Sequence, residues 1–462
     1  VSNISIPRLV VTGLSGGAGK TINSLGLARA WSEAGKTVSP FKKGPDYIDA
    51  VWLGLAARRP SSNLDPYFMQ PETIRSLFAH RAHLADVAVI EGNRGLYDGM
   101  DVDGSCSTAE LARILDAPVL LSMDCTKMTR TAAAVLSGIA GFEDGVNLGG
   151  VILNRTASER HRSILTSSIE QYTDVPVLGA LPKISPDPIP ERHMGLISNR
   201  EYDGQEEILS NLARLMRDNC DLERIWELAC SAGPLTGVAP LWPEASKPAE
   251  VTIGYVRDAA LWFYYEENLE ALSRAGAKLV ELSLLDDSPW PEIHGLYLGG
   301  GFPETLAEDL ASRCEMGQRV RSLSEAGLPI YAECGGFMFL TESVTWGDKT
   351  WPMAGVIPVR TDLCKRPHGL GYVRAEVLQD NPYHPKGSVL VGHEFHYSQC
   401  LSDATADALP MALRMERGTG MIGGFDGYMV RNTFACYTHI HALGTPWWAE
   451  NFVKTAEAWK EG

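Results

Sequence analysis

Cysteine is scarce and scattered, with nine among 462 residues and no C-x-x-C pair. That spacing excludes a disulfide framework and a cysteine-rich zinc site, and makes a reducing cytoplasm the expected setting. Basic charge is also short: 41 Lys and Arg face 57 Asp and Glu, a formal net charge of −16. Phosphate contacts to nucleic acid need clustered basic side chains, so no nucleic-acid partner is expected. No apolar run is long enough to span a bilayer, so no membrane partner is expected either. The N-terminus lacks the basic start and long apolar stretch of a secretory signal. Internal repeats and low-complexity tracts are absent. What remains is a globular mixture, 45% apolar and 21% charged, long enough for two or more domains.

Short apolar runs alternate with helical stretches through the first half: 8–13, 87–92, 118–124, 149–154 and 176–182. They are continuous, rich in β-branched residues and bounded by Gly, Pro or Asp. This pattern predicts buried parallel strands with crossover helices, hence a doubly wound α/β domain. The pattern breaks around "SAGPLTGVAPLWPEASKPAE", 231–250, the best linker candidate. A second alternation follows, with strands expected at 251–256, 278–283, 295–301 and 328–336 and helices near 262–275 and from about 304. The expected division is a first domain over 1–232, a linker over 233–250 and a second α/β domain over 251–462.

"VVTGLSGGAGKT", 10–21, stands between a strand and the amphipathic stretch 21–34, the context of a phosphate loop. Its backbone N–H groups, including those of Gly16, Gly17 and Gly19, would cradle phosphates at the start of a helix. Lys20 would reach the β- and γ-phosphates, and the Thr21 hydroxyl would bind Mg²⁺. ATP and Mg²⁺ are the expected cofactors. The usual spacing puts a glycine where Leu14 stands; Gly13, six residues before Gly19, fits a longer variant of the loop instead. In "SPFKKGPDYIDA", 39–50, a basic pair precedes Asp46 and Asp49 around a Gly-Pro turn, suited to an anionic substrate and to Mg²⁺. Glu91 ends a buried strand, where open α/β sheets put their chemistry, and could ligate Mg²⁺ or activate an attacking group. Asp98 and Asp101 fall in the loop after it. Asn154, at another strand end, could read an adenine edge or satisfy loop backbone.

The second domain presents a different chemistry. "LPIYAECGGFMFL" sets Cys334 between a strand and a helix with small residues around it, the form of a nucleophile elbow, and a helix N-terminus favours thiolate. "ACYTHIHAL" offers His439 as the base and His441 two residues on. Many cysteine amidotransferases carry Glu at that second position to orient the imidazole; with His441 there, the orienting group is missing or different. "GLYLGGGFPE" brings glycine backbone that can approach a ligand, so the oxyanion donors are expected at Gly300 and at Gly335, next after the nucleophile.

Together these segments resemble the cobyrinic acid (or hydrogenobyrinic acid) a,c-diamide synthase family. The resemblance runs through "TGLSGGAGKT", "FKKGPDYID", "EGNRGLYDG", "GVILNR", "LPKISPDPIPERHMGL", "LYLGGGFPE", "YAECGGFMFL", "GLGY", "VGHEFHYS" and "YTHIHAL", almost the whole chain. It implies a P-loop synthetase domain joined to a class I glutamine amidotransferase-like domain. It implies ATP-, Mg²⁺- and glutamine-dependent amidation of two acetate side chains of an acidic tetrapyrrole, with homodimerisation as an added expectation. On this resemblance Lys20 and Thr21 belong to the ATP loop. Asp46, Asp49 and Glu91 serve Mg²⁺ and amidation, Thr21, Asp46 and Glu91 being the expected metal set. Cys334 is the nucleophile and His439 its base. The family has no Glu after that histidine. "PERHMGL" and "GHEFHYS" are family marks without a single assigned role. Leu14, Gly16 and Ile22 depart from the family loop "GTxSGxGKTT", which leaves sirohydrochlorin or its metal complex as an alternative substrate.

Two readings of another class compete. A partition-type ATPase would carry a second lysine in "KGGxGKT", where Ser15 stands, and has no use for a cysteine elbow. A tetrapyrrole-binding regulator without turnover has no need of Lys20, Thr21, Cys334 and His439 together. Cobyric acid synthase, closer in chemistry, is disfavoured by "FKKGPDYID" and "ERHMGL".

Overall fold

The computed structural model describes residues 2–184, 191–192, 195–196, 204–404 and 408–462, and the chain divides into two compact units, Val1–Pro243 and Glu244–Gly462. The "PERHMGL" segment lies outside the described residues except for the backbone of two short strands, Glu191–Arg192 and Gly195–Leu196. Among the described residues no helix is long and apolar enough to cross a membrane.

The first unit is built on seven strands. Their order across the sheet is Ser62–Leu64, Val38–Lys43, Val87–Glu91, Arg8–Gly13, Val119–Asp124, Leu148–Thr156 and Val177–Pro182. Every neighbouring pair is parallel. Parallel strands end at one edge, so the loops after Gly13, Lys43, Glu91 and Asn154 are brought to the same side. Two strands escape the sequence pattern. Val38–Lys43 carries Pro40, Lys42 and Lys43, yet all six residues are buried. Ser62–Leu64 is three residues long.

The helix after the phosphate loop, Lys20–Glu33, is not the amphipathic element expected. Asn23, Ser24 and Arg29 are buried along with Leu25, Leu27 and Ala28, because helices Tyr47–Ala57 and Gln205–Asn219 pack on it as well as the sheet. Gly26 makes the second of these contacts close: a Cβ there would lie 2.5 Å from Met216 Cγ and 3.0 Å from the Leu212 carbonyl oxygen. The segment read as a linker begins inside this unit. Gly233 O accepts a hydrogen bond from Arg8 at 2.6 Å, and Leu235–Val238 pairs antiparallel with Ser2–Ile4. Composition marks Pro, Gly and Ser but cannot see that Ser2–Ile4 recruits part of the segment into a two-stranded sheet.

The second unit holds a ten-stranded sheet in two halves. Ala277–Leu282, Val251–Val256, Gly295–Leu298, Ile330–Glu333 and Thr433–Cys436 run parallel. Phe425–Val430, Met411–Arg417, Gly369–Val377, Val389–His396 and His439–Ile440 continue it antiparallel. The sequence alternation finds four strands of the first half, not Thr433–Cys436, and none of the second, whose strands carry exposed charged residues such as Arg374 and Arg414. Aromatic rings fill the layer beside the central strands: Tyr331 stacks on Phe434 with centroids 5.2 Å apart, and Trp448 meets Tyr297 and Tyr331 at 5.3 Å each. Glu333 lies two residues after Tyr331 on the same strand, so it shares that buried face.

Gly26→Val forces two branched methyl groups against Met216 and Leu212. The expected cost is about 1–3 kcal/mol of the first unit's stability, read as a lower urea midpoint at unchanged slope.

Candidate functional site

In the first unit the chain leaves strand Arg8–Gly13, turns through the glycine-rich loop and enters helix Lys20–Glu33 at Gly19, whose φ is +92°. Gly17 is also left-handed, at +72°. A Cβ on Gly19 would sit 2.0 Å from Asn154 Nδ2, and one on Gly13 would sit 2.8 Å from the Ala18 Cβ. Gly13 thus fills a place that needs glycine, while Gly16 has open space beside it. Lys20 Nζ donates to the Ser15 carbonyl at 2.8 Å, which holds the ammonium inside the loop. Burial, and then Lys42, lowers its pKa; Glu91, Asp49 and Asp98 oppose the shift. Asn154 Nδ2 donates to the Ala18 carbonyl at 3.1 Å and its Oδ1 accepts from Arg155 N at 2.9 Å, so both ends of this carboxamide satisfy loop backbone. The loop after Glu91 closes on the phosphate loop through Leu96 N to Gly13 O at 2.9 Å. Asp98 and Asp101 accept backbone N–H groups of their own turns.

Below the loop lies a buried charge cluster. Lys42 Nζ is 2.5 Å from Asp49 Oδ2 and 2.8 Å from Glu91 Oε1. Thr21 Oγ1 donates to the same Glu91 oxygen at 2.9 Å. Asp46 caps helix Tyr47–Ala57 by accepting from Asp49 N at 2.8 Å. Burial, reinforced by Asp49 and opposed by Lys42, pushes the Asp46 carboxyl up to about 7. Burial likewise raises Glu91, against the pull of Lys42. Burial alone would lower Lys42, but Asp49, Glu91 and Asp46 outweigh it and raise the ammonium. Glu91 Oε2 is buried with no hydrogen-bond partner among the described residues. Lys42 and Lys20 both lie in the field of Asp49 and Glu91, and the Glu91 carboxylate that Thr21 bonds keeps one oxygen for a ligand. No group of three or more His, Cys, Asp or Glu among the described residues is arranged to hold a metal alone. Thr21, Asp46 and Glu91 therefore suit a hard cation that arrives with phosphate oxygens of its own.

In the second unit strand Ile330–Glu333 ends and helix Gly335–Leu340 begins at Cys334, with φ +46° and ψ −99°. Such a backbone is strained for a residue with a Cβ and needs the surroundings to hold it. They do so by close approach. A Cβ on Gly335 would meet Gly301 N at 2.7 Å, one on Gly336 would meet the Leu298 carbonyl at 2.4 Å, and Gly336 N donates to Gly299 O at 3.0 Å. Cys334 N donates to Cys436 O at 2.7 Å. The Cys334 Sγ lies 3.9 Å from the Phe395 carbonyl, so the "GHEFHYS" strand borders the thiol. The thiol departs from the expected lowering. Burial, with Glu304 next, pushes it well above the ordinary thiol range, against the Gly335 N–H. A helix of six residues does not offset the loss of water.

His439 Cε1 lies 2.5 Å from where a Gly300 Cβ would stand, so the imidazole packs on the glycine strand beside the elbow. Its Nδ1 is 3.2 Å from Glu333 Oε2. Glu333 Oε2 also accepts from Tyr297 OH at 3.3 Å, and Oε1 from Ile440 N at 3.4 Å. His393 stacks on His439 with centroids 4.8 Å apart and planes 18° off parallel. His441 points to a different acid, its Nε2 3.4 Å from Glu267 Oε2.

Residues 9–196 match the CobQ/CobB/MinD/ParA nucleotide binding domain, and residues 252–447 match the CobB/CobQ-like glutamine amidotransferase domain. A cobyrinate a,c-diamide synthase of Magnetococcus marinus is 41% identical, covering 99% of this chain and 98% of that protein. Proteins of the same name from Archaeoglobus fulgidus and Salmonella typhimurium are 39% and 36% identical, over 98% and 97% of both chains respectively. The chain belongs to the cobyrinate a,c-diamide synthase family.

Within this family member the structure brings Lys20, Thr21, Asp49, Asp46 and Glu91 together in one unit, and Cys334, His439, Gly300 and Gly335 in the other. Sequence reasoning missed Lys42 as the counter-ion of the acidic cluster, taking it for a substrate-facing charge. It missed Glu333 altogether, although the residue stands beside Cys334 in "YAECGG". The only signal was an acid at the buried end of an apolar strand.

Lys42→Met keeps the volume and removes the charge, leaving Asp49 and Glu91 without their cation. Breaking a buried pair in this way is expected to destabilise the first unit by about 3–5 kcal/mol, measured by chemical denaturation against the unsubstituted chain.

Proposed function

We propose that this chain amidates the a- and c-acetate carboxylates of a cobyrinic acid-type tetrapyrrole, with glutamine as nitrogen donor and ATP as activator. The observation that carries the reading is the Cys334 turn at φ +46°, a strained nucleophile beside a histidine, in the same chain as a phosphate loop with its lysine and hydroxyl in register.

In the second unit Cys334 Sγ attacks the side-chain amide carbon of glutamine. His439 takes the thiol proton and returns it to the departing nitrogen, which leaves as ammonia. The backbone N–H groups at Gly300 and Gly335 are assigned to the oxyanion. Water then cleaves the thioester, giving glutamate and free Cys334. In the first unit a substrate carboxylate oxygen attacks the γ-phosphorus of ATP, giving an acyl phosphate and ADP. Lys20 and the loop N–H groups hold the transferring phosphoryl group. Ammonia replaces phosphate at the acyl carbon, and the sequence repeats at the second acetate. Mg²⁺, which Thr21, Asp46 and Glu91 would hold, supplies charge neutralisation of the phosphates when bound. Asp49 keeps Lys42 in place beneath these ligands. Asn154 fixes the loop against its strand and is not assigned to the base.

The full-length likeness to proteins named for cobyrinate supports that ring over sirohydrochlorin or its metal complex. A partition-type ATPase has no role for the second unit. Offering cobyrinic acid and sirohydrochlorin in parallel with ATP and glutamine should add two amides to the first alone, by mass spectrometry; two amides on sirohydrochlorin alone reverses the assignment of the ring. Cys334→Ser should abolish glutamine-dependent synthesis while added ammonium still supports it, and Lys20→Ala should stop synthesis from either nitrogen source. Glutamine-dependent synthesis at the normal rate in Cys334→Ser removes the cysteine from the mechanism.

A further inference from the structure

The His-x-Glu pattern that orients the base in many cysteine amidotransferases is absent, since His441 occupies the second position and turns to Glu267. A buried imidazole with nothing on Nδ1 would choose neither its tautomer nor its ring angle. The distance of 3.2 Å from Glu333 Oε2 to His439 Nδ1 supplies both. We infer that Glu333, the residue immediately before the nucleophile, is the positioning acid of this site, holding His439 so that Nε2 serves Cys334.

The inference rests on Cys334 and His439 being nucleophile and base. Glu333 is itself fixed. It is fully buried, and Tyr297 OH and Ile440 N converge on its two oxygens. Asn268 Nδ2 bonds both Tyr297 OH at 3.2 Å and Ile440 O at 3.0 Å, so one carboxamide ties the acid's two partners together. Three ordered donors on one carboxylate describe a built receptor for an N–H, and the histidine is the donor that faces the reaction.

The charges around His439 decide what Glu333 does. His393 stacks on one face and is itself held neutral, its pKa driven down by burial and then by His439 and His441. Tyr265 lies against His393 and His441, and the Glu267–His441 pair closes the far side. On the nucleophile's side Glu304, Glu333 and Asp426 all disfavour thiolate. Glu333 therefore acts on Cys334 in two opposed ways. Directly, its charge repels a thiolate. Through His439, it stabilises the imidazolium that a thiolate needs as counter-ion. A positioning role requires the second effect to win.

The opposition gives the test its sign. The probe is iodoacetamide, with alkylation of Cys334 followed against pH by peptide mass spectrometry. Glu333→Gln should move the alkylation midpoint upward by about one pH unit, about tenfold slower labelling at neutral pH, with loss of glutamine hydrolysis in kcat more than in KM. In the His439→Ala background the same substitution should leave the midpoint unchanged or lower it, because only direct repulsion is left. An unchanged or lowered midpoint with His439 present overturns the inference, as does an equal rise in its absence. If Glu333→Gln does not fold, Glu333→Asp replaces it: the charge stays but the arm shortens, so a reduced kcat at unchanged KM supports the role and a normal kcat overturns it. A failure of the broader reading looks different, as glutamine use surviving in Cys334→Ser.

Discussion

Backbone against backbone, with no side chain between, is the contact on which the second unit's chemistry depends. Gly335 and Gly336 lie so close to Leu298–Gly301 that a Cβ on either would overlap main-chain atoms of Gly301 or Leu298. That approach pins the turn after Cys334, the Cys334 N–H to Cys436 O bond pins it before, and together they over-determine its left-handed φ, as strained positions require. The same glycines leave room for the His439 ring at Gly300. Remove the closeness and the thiol relaxes to an ordinary rotamer on an ordinary turn. The phosphate loop repeats the device with a different partner, for Gly19 is pressed against a side-chain amide, that of Asn154, rather than against a second backbone.

Charge is handled in the two units by opposite means. Around Lys42 a cation is placed among carboxylates that burial would otherwise protonate, and the acidic set keeps an unpaired oxygen for a ligand. Around Cys334 the nearby acids Glu304, Glu333 and Asp426 push the thiol away from ionisation. The anion there must be made together with its cation, by proton transfer to the histidine. A phosphate site can hold its charges permanently because its ligand is charged throughout. A thiol that must attack only when an amide is in place is better kept neutral until then.

Much of this was legible in the sequence because the signals were local. A glycine-rich run between strand and helix, an acid at the end of a β-branched run and a cysteine before paired glycines each announce their geometry within ten residues. The alternation of apolar runs gave most of the parallel strands of both units for the same reason. What was hidden depended on distant packing. Val38–Lys43 carries proline and two lysines and becomes a strand only because its neighbours bury it. Leu235–Val238 looks like linker until Ser2–Ile4 is beside it. The antiparallel half of the second sheet alternates too weakly to stand out. Lys42 as a partner of Glu91 and Glu333 as a partner of His439 were unreadable because these mates are 49 and 106 positions away.

Glu333 and Cys334 are joined by one peptide bond, whereas a His-x-Glu arrangement joins the acid to the base. The difference alters what a small movement can do. When acid and base share a strand they travel together, and displacing that strand separates only base from nucleophile. Here acid and nucleophile share a rigid strand end, and the imidazole arrives alone on a two-residue strand, His439–Ile440. A shift of that short segment separates the base from its orienting acid, while the elbow itself stays intact. The architecture is that of a switch with a single moving contact.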